Sequence, residues 1–303
     1  MMTDHIVFLT MVRTEEEKAG ARLLIESLRA FGGELAGCPI WLFEARSDAA
    51  PCDDLQGVRV LPLAMPASTP RYYYADKVYA AARAEALAPA DVDSLIWIDP
   101  TCVIVQSPLG FALEPEADAA ARPVHIKNVG LLATAPLDAF WQPIYTAVGV
   151  DDVSTTVETF IGKQRIRSYF NSHAFAVRPS TGLLSRWWAE FEALIRDETY
   201  QARACEDTLH RIFLHQAVLS ALLATQIDPA RLRLLPPTYN YPYNLHASLS
   251  PERRAEALND LVCFTYEGRP INPAQVDDVA IHEPLRSWLA NRAAQEHADE
   301  DAP

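Results

Sequence analysis

The sequence predicts one α/β domain: a mixed, mostly parallel sheet flanked by helices. Two observations carry this. Strand-like apolar runs alternate with helical patterns over the first hundred of the 303 residues, and neither an internal repeat nor a low-complexity linker divides the chain. Strands that alternate with helices build parallel sheets through right-handed crossovers.

His5 to Val12 is apolar and rich in strand formers, and Thr14-Glu15-Glu16-Glu17 then sets a glutamate three residues after a threonine, the capping-box signature of a helix start. Ala21, Leu24, Ile25, Leu28 and Phe31 keep helical spacing, and Gly32-Gly33 ends the segment. Pro39 to Phe43 and Val58 to Leu63 read as the next strands, Asp76 to Leu87 as a helix, and Ser94 to Ile98 as a buried strand that delivers Asp99 at its carboxyl end. Open α/β sheets hold their ligands at that end. Further on, Val124 to Leu132 and Tyr169 to Val177 read as strands of a mixed sheet. Ala139 to Val148, Ser185 to Ile195 and Thr208 to Ala224 read as helices. An irregular stretch rich in proline and tyrosine begins at Leu232 and runs through Tyr243, late strands are expected at 261–266 and 278–281, and Pro284 opens a surface helix. The domain is expected over residues 1–286, with 287–303 a carboxyl-terminal helix and charged tail.

Composition narrows the function. Lysine and arginine number 26 against 40 acidic residues, a formal charge of −14, which works against binding to nucleic acid or anionic membrane. Cys38, Cys52, Cys102, Cys205 and Cys263 are odd in number and widely spaced, so neither a disulfide framework nor a cysteine zinc site is predicted, and a reducing cytoplasm is the expected compartment. The amino terminus lacks the basic start and apolar segment of a signal peptide, and no apolar run approaches the roughly 18 residues of a membrane span. Glycine-rich phosphate loops and the Gly-x-Ser-x-Gly elbow are missing too.

The polar residues worth testing are few. Helical period turns His215 inward between Ile212 and Leu219, the environment of a hydrogen-bonded core histidine as readily as of a ligand. Strand alternation puts Asn171 and His173 on one face with Phe175 and Val177. His125 reads as a strand residue with a satisfied ring, and Trp187-Trp188 as packing aromatics. Arg71 with Tyr72, Tyr73 and Tyr74 offers a guanidinium and aromatic faces that suit a phosphate and a base.

Three segments taken in order resemble a known family. Leu95-Ile96-Trp97-Ile98-Asp99-Pro100-Thr101 resembles a strand ending in Asp-x-Asp; Tyr169-Phe170-Asn171-Ser172-His173 resembles a Phe-Asn-Ser/Ala-Gly strand; Leu214-His215-Gln216-Ala217-Val218-Leu219-Ser220 resembles an Asp-Gln-x-hydrophobic helix. Together they are similar to the nucleotide-sugar glycosyltransferases of the GT-A, Rossmann-like fold, in particular the glycogenin-like, family 8-type branch. The resemblance implies transfer of a sugar from a nucleotide-diphosphate donor, a UDP-sugar, to an acceptor. It implies Thr10, Met11 and Val12 around the base, with Arg71 and Tyr74 as further nucleotide contacts and Lys77 at the diphosphate. Asn171 and Gln216 would hold the sugar, beside His173 and His215, which stand where the family has glycine and aspartate. A manganese or magnesium ion is implied on Asp99, completed by His282. Thr101 replaces the second aspartate of the motif. Two other readings remain open: a metalloenzyme in which Asp99, His173, His215 and His282 hold zinc or iron for hydrolysis or oxidation, and a homologue that binds ligand without turnover.

Overall fold

The computed structural model describes residues 5–45 and 55–300. Cys52, the first four residues and the last three residues of the charged tail lie outside the described residues.

A seven-stranded sheet organises the chain. β1 (Ile6–Val12) pairs in parallel with β2 (Ile40–Glu44) on one side and β4 (Ser94–Ile98) on the other, and β3 (Val58–Pro62) extends it beyond β2. β9 (Phe170–Val177) runs antiparallel between β4 and β6 (Ala119–Pro123), and β10 (Leu232–Leu234) closes the edge beside β6. The parallel strands β1 and β4, together with β6, therefore end on the same rim where β9 begins. Asp99 and the first residues of β9 meet there.

Between β1 and β2 runs α1 (Glu15–Phe31), whose N-cap Thr14 accepts a hydrogen bond from the Glu17 N–H at 3.2 Å, a contact worth about 1 kcal/mol. The other half of the box is diverted: Glu17 accepts from the Arg13 N–H and its guanidinium. Leu24, Ile25 and Leu28 bury the inner face of α1 on one side of the sheet, at about 1.5–3 kcal/mol each. Gly20 is where α1 meets the turn after β4; a Cβ there would lie 2.7 Å from the Pro100 carbonyl oxygen. The opposite face of the sheet is covered by α2 (Ala75–Leu87), α3 (Trp141–Ala147), α4 (Leu183–Arg196) and α6 (Thr208–Gln226), with Trp97, Trp141 and Trp187 fully buried among them. α5 (Glu198–Ala204) links α4 to α6.

A second, three-stranded sheet, β11 (Tyr241–Pro242), β12 (Cys263–Thr265) and β5 (Cys102–Ile104), continues from the Asp99 turn. β7 (Thr156–Glu158) and β8 (Arg165–Arg167) form a separate antiparallel pair. The last helix, α7 (Leu285–Glu300), docks rather than trailing off: Leu285 and Leu289 are buried, and Trp288 packs edge-on against Phe31 of α1.

Three expectations are corrected. The strand beside β9 is the alanine-rich Ala119–Pro123, and Val124 to Leu132 is a loop; alanine is a weak strand former, but small side chains fit a strand packed on both faces. Residues 278–281 make only an isolated bridge, Ala280 to Ala257. The third lies in β9, where the register against β6 jumps between Ala121 paired with Phe175 and Pro123 paired with Phe170. Such irregularity re-aims side chains. Phe175 and Val177 do share a face, on the α4 and α6 side, but Asn171 and His173 do not share their surroundings, and Ser172 reaches α6 instead.

Candidate active site

Asp99 sits in the first turn beyond β4, with its backbone N–H donating to the His173 carbonyl at 2.8 Å. Both carboxylate oxygens are engaged. Oδ1 accepts from the Trp97 indole at 2.6 Å, and Oδ2 accepts from the Lys77 ammonium at 2.8 Å. Trp97 was not among the residues singled out from sequence, although it precedes Asp99 by two and the strand period of two is the signal that could have found it. Lys77 lies within the first turn of α2, donates also to the Ser172 carbonyl at 2.8 Å, and is 1% exposed. Burial pushes its ammonium below the usual lysine range, and Asp99 pulls it back up.

Tyr74 forms the next wall. It adopts a left-handed conformation at φ 60° just before α2, a strain of about 1–3 kcal/mol, and stacks its ring 4.3 Å from His215. The Arg13 guanidinium lies over the other side of this neighbourhood, 5.6 Å from the Tyr74 ring centre, held by Asp76 at 2.6 Å and Glu17 at 2.8 Å. Burial works against its charge, but these two carboxylates more than offset it and raise the pKa.

His215 and Gln216 reach the site from α6. His215 Nδ1–H donates to the Ile212 carbonyl at 2.8 Å, which leaves Nε2 to accept from the Ser172 hydroxyl at 3.0 Å. Burial, helped by the Lys77 charge, holds His215 well below the usual histidine range, so the ring is neutral. Gln216 Oε1 accepts from the Ser172 N–H at 3.2 Å.

His173 opens a second pair. Asn171 Oδ1 accepts from both the His173 N–H and Nδ1–H at 2.8 Å, and His173 Nε2 faces Glu267 Oε1 at 2.8 Å. Both ring nitrogens thus face side-chain oxygens. The bond from His173 holds the Glu267 carboxyl below the usual range. Asn244 donates to the other Glu267 oxygen, and Asn171 Nδ2 lies 3.2 Å from Nε2 of His125, a ring kept neutral by burial and the adjacent Arg122. Glu267 sits at φ 40° before Gly268 at φ 79° in the turn after β12. Sequence reasoning missed Glu267 and Ser172; only the Glu-Gly turn hinted at the first.

Asp99, Lys77, Tyr74, Asn171, His173, His215 and Gln216 are thus brought to one rim. Others are not. Thr10, Met11 and Val12 are each 1% exposed inside β1, so their side chains belong to the core, and the residues that follow, Arg13 and Thr14, are the ones that reach the crevice. Arg71 is exposed on the loop before Tyr74. His282 is exposed and clasps Asn259 through its backbone, beyond the Cys263 end of the β12–β5 pair, whereas Asp99 and Thr101 adjoin the Thr265 end.

A divalent ion does not fit this donor set. Among the described residues no three histidine, cysteine, aspartate or glutamate side chains converge as a metal site. Beside Asp99, the segment of the carboxyl-terminal half that pairs alongside is β12, and it offers the Thr265 hydroxyl, 3.4 Å from the Thr101 hydroxyl. Neutral hydroxyls are poor substitutes for carboxylates around hard cations. The histidine cluster for zinc or iron also fails to form, because both nitrogens of His215 are committed and His282 is elsewhere.

A single α/β domain whose parallel strands deliver a carboxylate, a buried lysine and a cluster of amides and imidazoles to one rim is a GT-A-type transferase architecture. The comparisons agree. Residues 8–226 match the model of the Rhodobacterales glycosyltransferase domain, and the chain belongs to that family of sugar-transferring enzymes. No curated protein matches it in sequence. Among solved structures, the galactosyltransferase LgtC in complex with donor and acceptor sugar analogs is similar at 13% identity and TM-score 0.53, over 98% of this chain and 97% of that one. The glycosyltransferase GlyE of Streptococcus pneumoniae TIGR4 is similar at 11% identity and TM-score 0.50, over 96% of this chain and 60% of that one.

Proposed function

We propose that this glycosyltransferase uses a UDP-sugar, binding it across the rim of β1 and β4 with the diphosphate near Asp99 and Lys77 and the sugar near Asn171, His173, His215 and Gln216. The single observation that carries the reading is the Asp99 cluster at the carboxyl end of a parallel strand, the ligand position of open α/β sheets. In the transfer, the bond between the anomeric carbon and the β-phosphate oxygen breaks and its electron pair leaves on the diphosphate. The acceptor hydroxyl oxygen forms the new bond and gives up its proton. Preorganised charge and dipoles are the largest lever on such a step. Lys77 supplies positive charge in a water-poor setting, while Tyr74, stacked on His215, offers an aromatic edge to the nucleotide or sugar. Asn171 and Gln216 supply the amides that would orient hydroxyls, and Ser172 locks both α6 residues in place.

A cytoplasmic setting is part of the same proposal, supported by four buried, unbridged cysteines, Cys38, Cys102, Cys205 and Cys263. No helix among the described residues is long and apolar enough to cross a membrane. Incubation of the purified protein with a panel of UDP-hexoses, followed by UDP release, tests the activity. Release from one sugar of the panel, abolished by Asp99→Asn, is expected; indifference to every UDP-sugar, with turnover of another nucleotide-sugar, overturns the choice of uridine.

A further inference from the structure

The family resemblance places a divalent cation where this chain builds something else, and that disagreement has consequences. A metal site on the Asp-x-Asp turn needs oxygen donors that are negatively charged and free to turn toward the ion. Here the second acidic position is Thr101, and the neighbouring strand contributes Thr265, itself 1% exposed, with the two hydroxyls 3.4 Å apart. The one remaining carboxylate, Asp99, has an indole N–H on one oxygen and an ammonium on the other. A cation entering this turn would have to displace Lys77, whose ammonium is buried, or compete with it at close range; like charges a few ångströms apart in a buried site repel strongly.

The hydrogen bonding of the carboxylates points the same way. Asp99 is paired with Lys77, and Glu267 is held by hydrogen bonds to His173 and Asn244. The two carboxylates nearest the turn, Asp99 and Glu267, therefore have both oxygens engaged by side-chain donors and do not stand free for a divalent ion. An internal cation occupies the electrostatic role: Lys77, fixed by its hydrogen bond to the Ser172 carbonyl.

We infer that this enzyme binds its nucleoside diphosphate without a divalent metal, with the Lys77 ammonium in place of the ion and the Thr101–Thr265 hydroxyl pair in place of its other ligands. Asp99, relieved of metal duty, is left to accept hydrogen bonds from donor hydroxyls at its 14% exposed edge. The inference rests on the reading of the rim as a UDP site, and the two fail differently.

Calorimetric titration of the full chain with UDP, once in EDTA and once with manganese chloride, separates them. The affinity is expected to differ by less than about twofold between the two conditions, and electron paramagnetic resonance of manganese added to the protein without UDP is expected to show only the free ion. Binding that tightens on the order of tenfold or more with manganese overturns the metal-free site and leaves the UDP reading standing. Absence of UDP binding under both conditions overturns the UDP reading and this inference with it. The double variant Thr101→Asp with Thr265→His restores a carboxylate and an imidazole beside Asp99 and is expected to capture manganese that the natural chain ignores. A double variant as indifferent to manganese as the parent shows that the hydroxyl pair is not what excludes the ion, and overturns the role assigned to it.

Discussion

Two carboxylates on this rim, Asp99 and Glu267, each meet a nitrogen side chain at the same separation, 2.8 Å, and the two pairs are built in opposite ways. Asp99 and Lys77 come from regular elements, the end of β4 and the first turn of α2, and their side chains are 14% and 1% exposed. His173 and Glu267 come from the irregular start of β9 and a left-handed turn after β12, and are 25% and 39% exposed. The first pair is structural and electrostatic together, since a buried ammonium cannot stay charged without its partner. The second costs little to break and is free to respond to ligand. Rigidity sits beneath the crevice and adaptability at its lip.

The comparison is broken most severely at Asp99. Asp99→Asn strands the buried Lys77 charge and is expected to cost about 3–5 kcal/mol, measured by urea denaturation. Adding Lys77→Met to it should recover much of that loss without restoring transfer; a double variant no more stable than the single one would show that the pair is not a coupled unit. Trp97→Phe removes one charge-assisted hydrogen bond from Asp99 and is expected to cost about 1.5–3 kcal/mol in the same assay.

Acid sharpens the contrast next. His125 and His215 are both held neutral in the folded chain, while the unfolded chain protonates each near 6.5. The folded state therefore keeps its full stability above that pH and loses it as the pH falls, by about 1.4 kcal/mol per pH unit for each ring. Thermal melts between pH 7 and 5 read the slope, and His215→Asn should reduce it. The smallest effect belongs to the lip. Glu267→Gln is expected to change stability by less than about 1 kcal/mol, because the pair is solvated. Turnover of the accepted nucleotide-sugar should nevertheless drop on the order of tenfold as His173 loses its orientation.

The same division decides what could be read in advance. The β1–α1–β2 unit, the helices at 76–87 and 208–224, and the placement of Asp99 follow from local periodicity and capping, so the wound sheet and its ligand end were legible. The inward face of His215 was legible for the same reason. The Ala119–Ala121 strand was not, because its residues carry weak strand preference and are chosen by the packing on both sides. Nor was the company kept by Asn171 and His173, since alternation assumes an unbroken ladder and β9 breaks it. His282 drew attention by residue type alone, while Glu267, more than ninety positions from its partner His173, announced itself only as a turn.

By itself the sequence determined the α/β class, the winding of its first hundred residues and the rim that carries the chemistry, because period, caps and apolar runs act over a few neighbouring residues. Tertiary structure alone decided which side chains face one another there: that Lys77 closes on Asp99, that Thr265 comes alongside Thr101, and that His173 leans on Glu267. Those meetings are set by strand register, a bulge and a left-handed turn, which are properties of the folded backbone and leave almost no trace in the local order of residues.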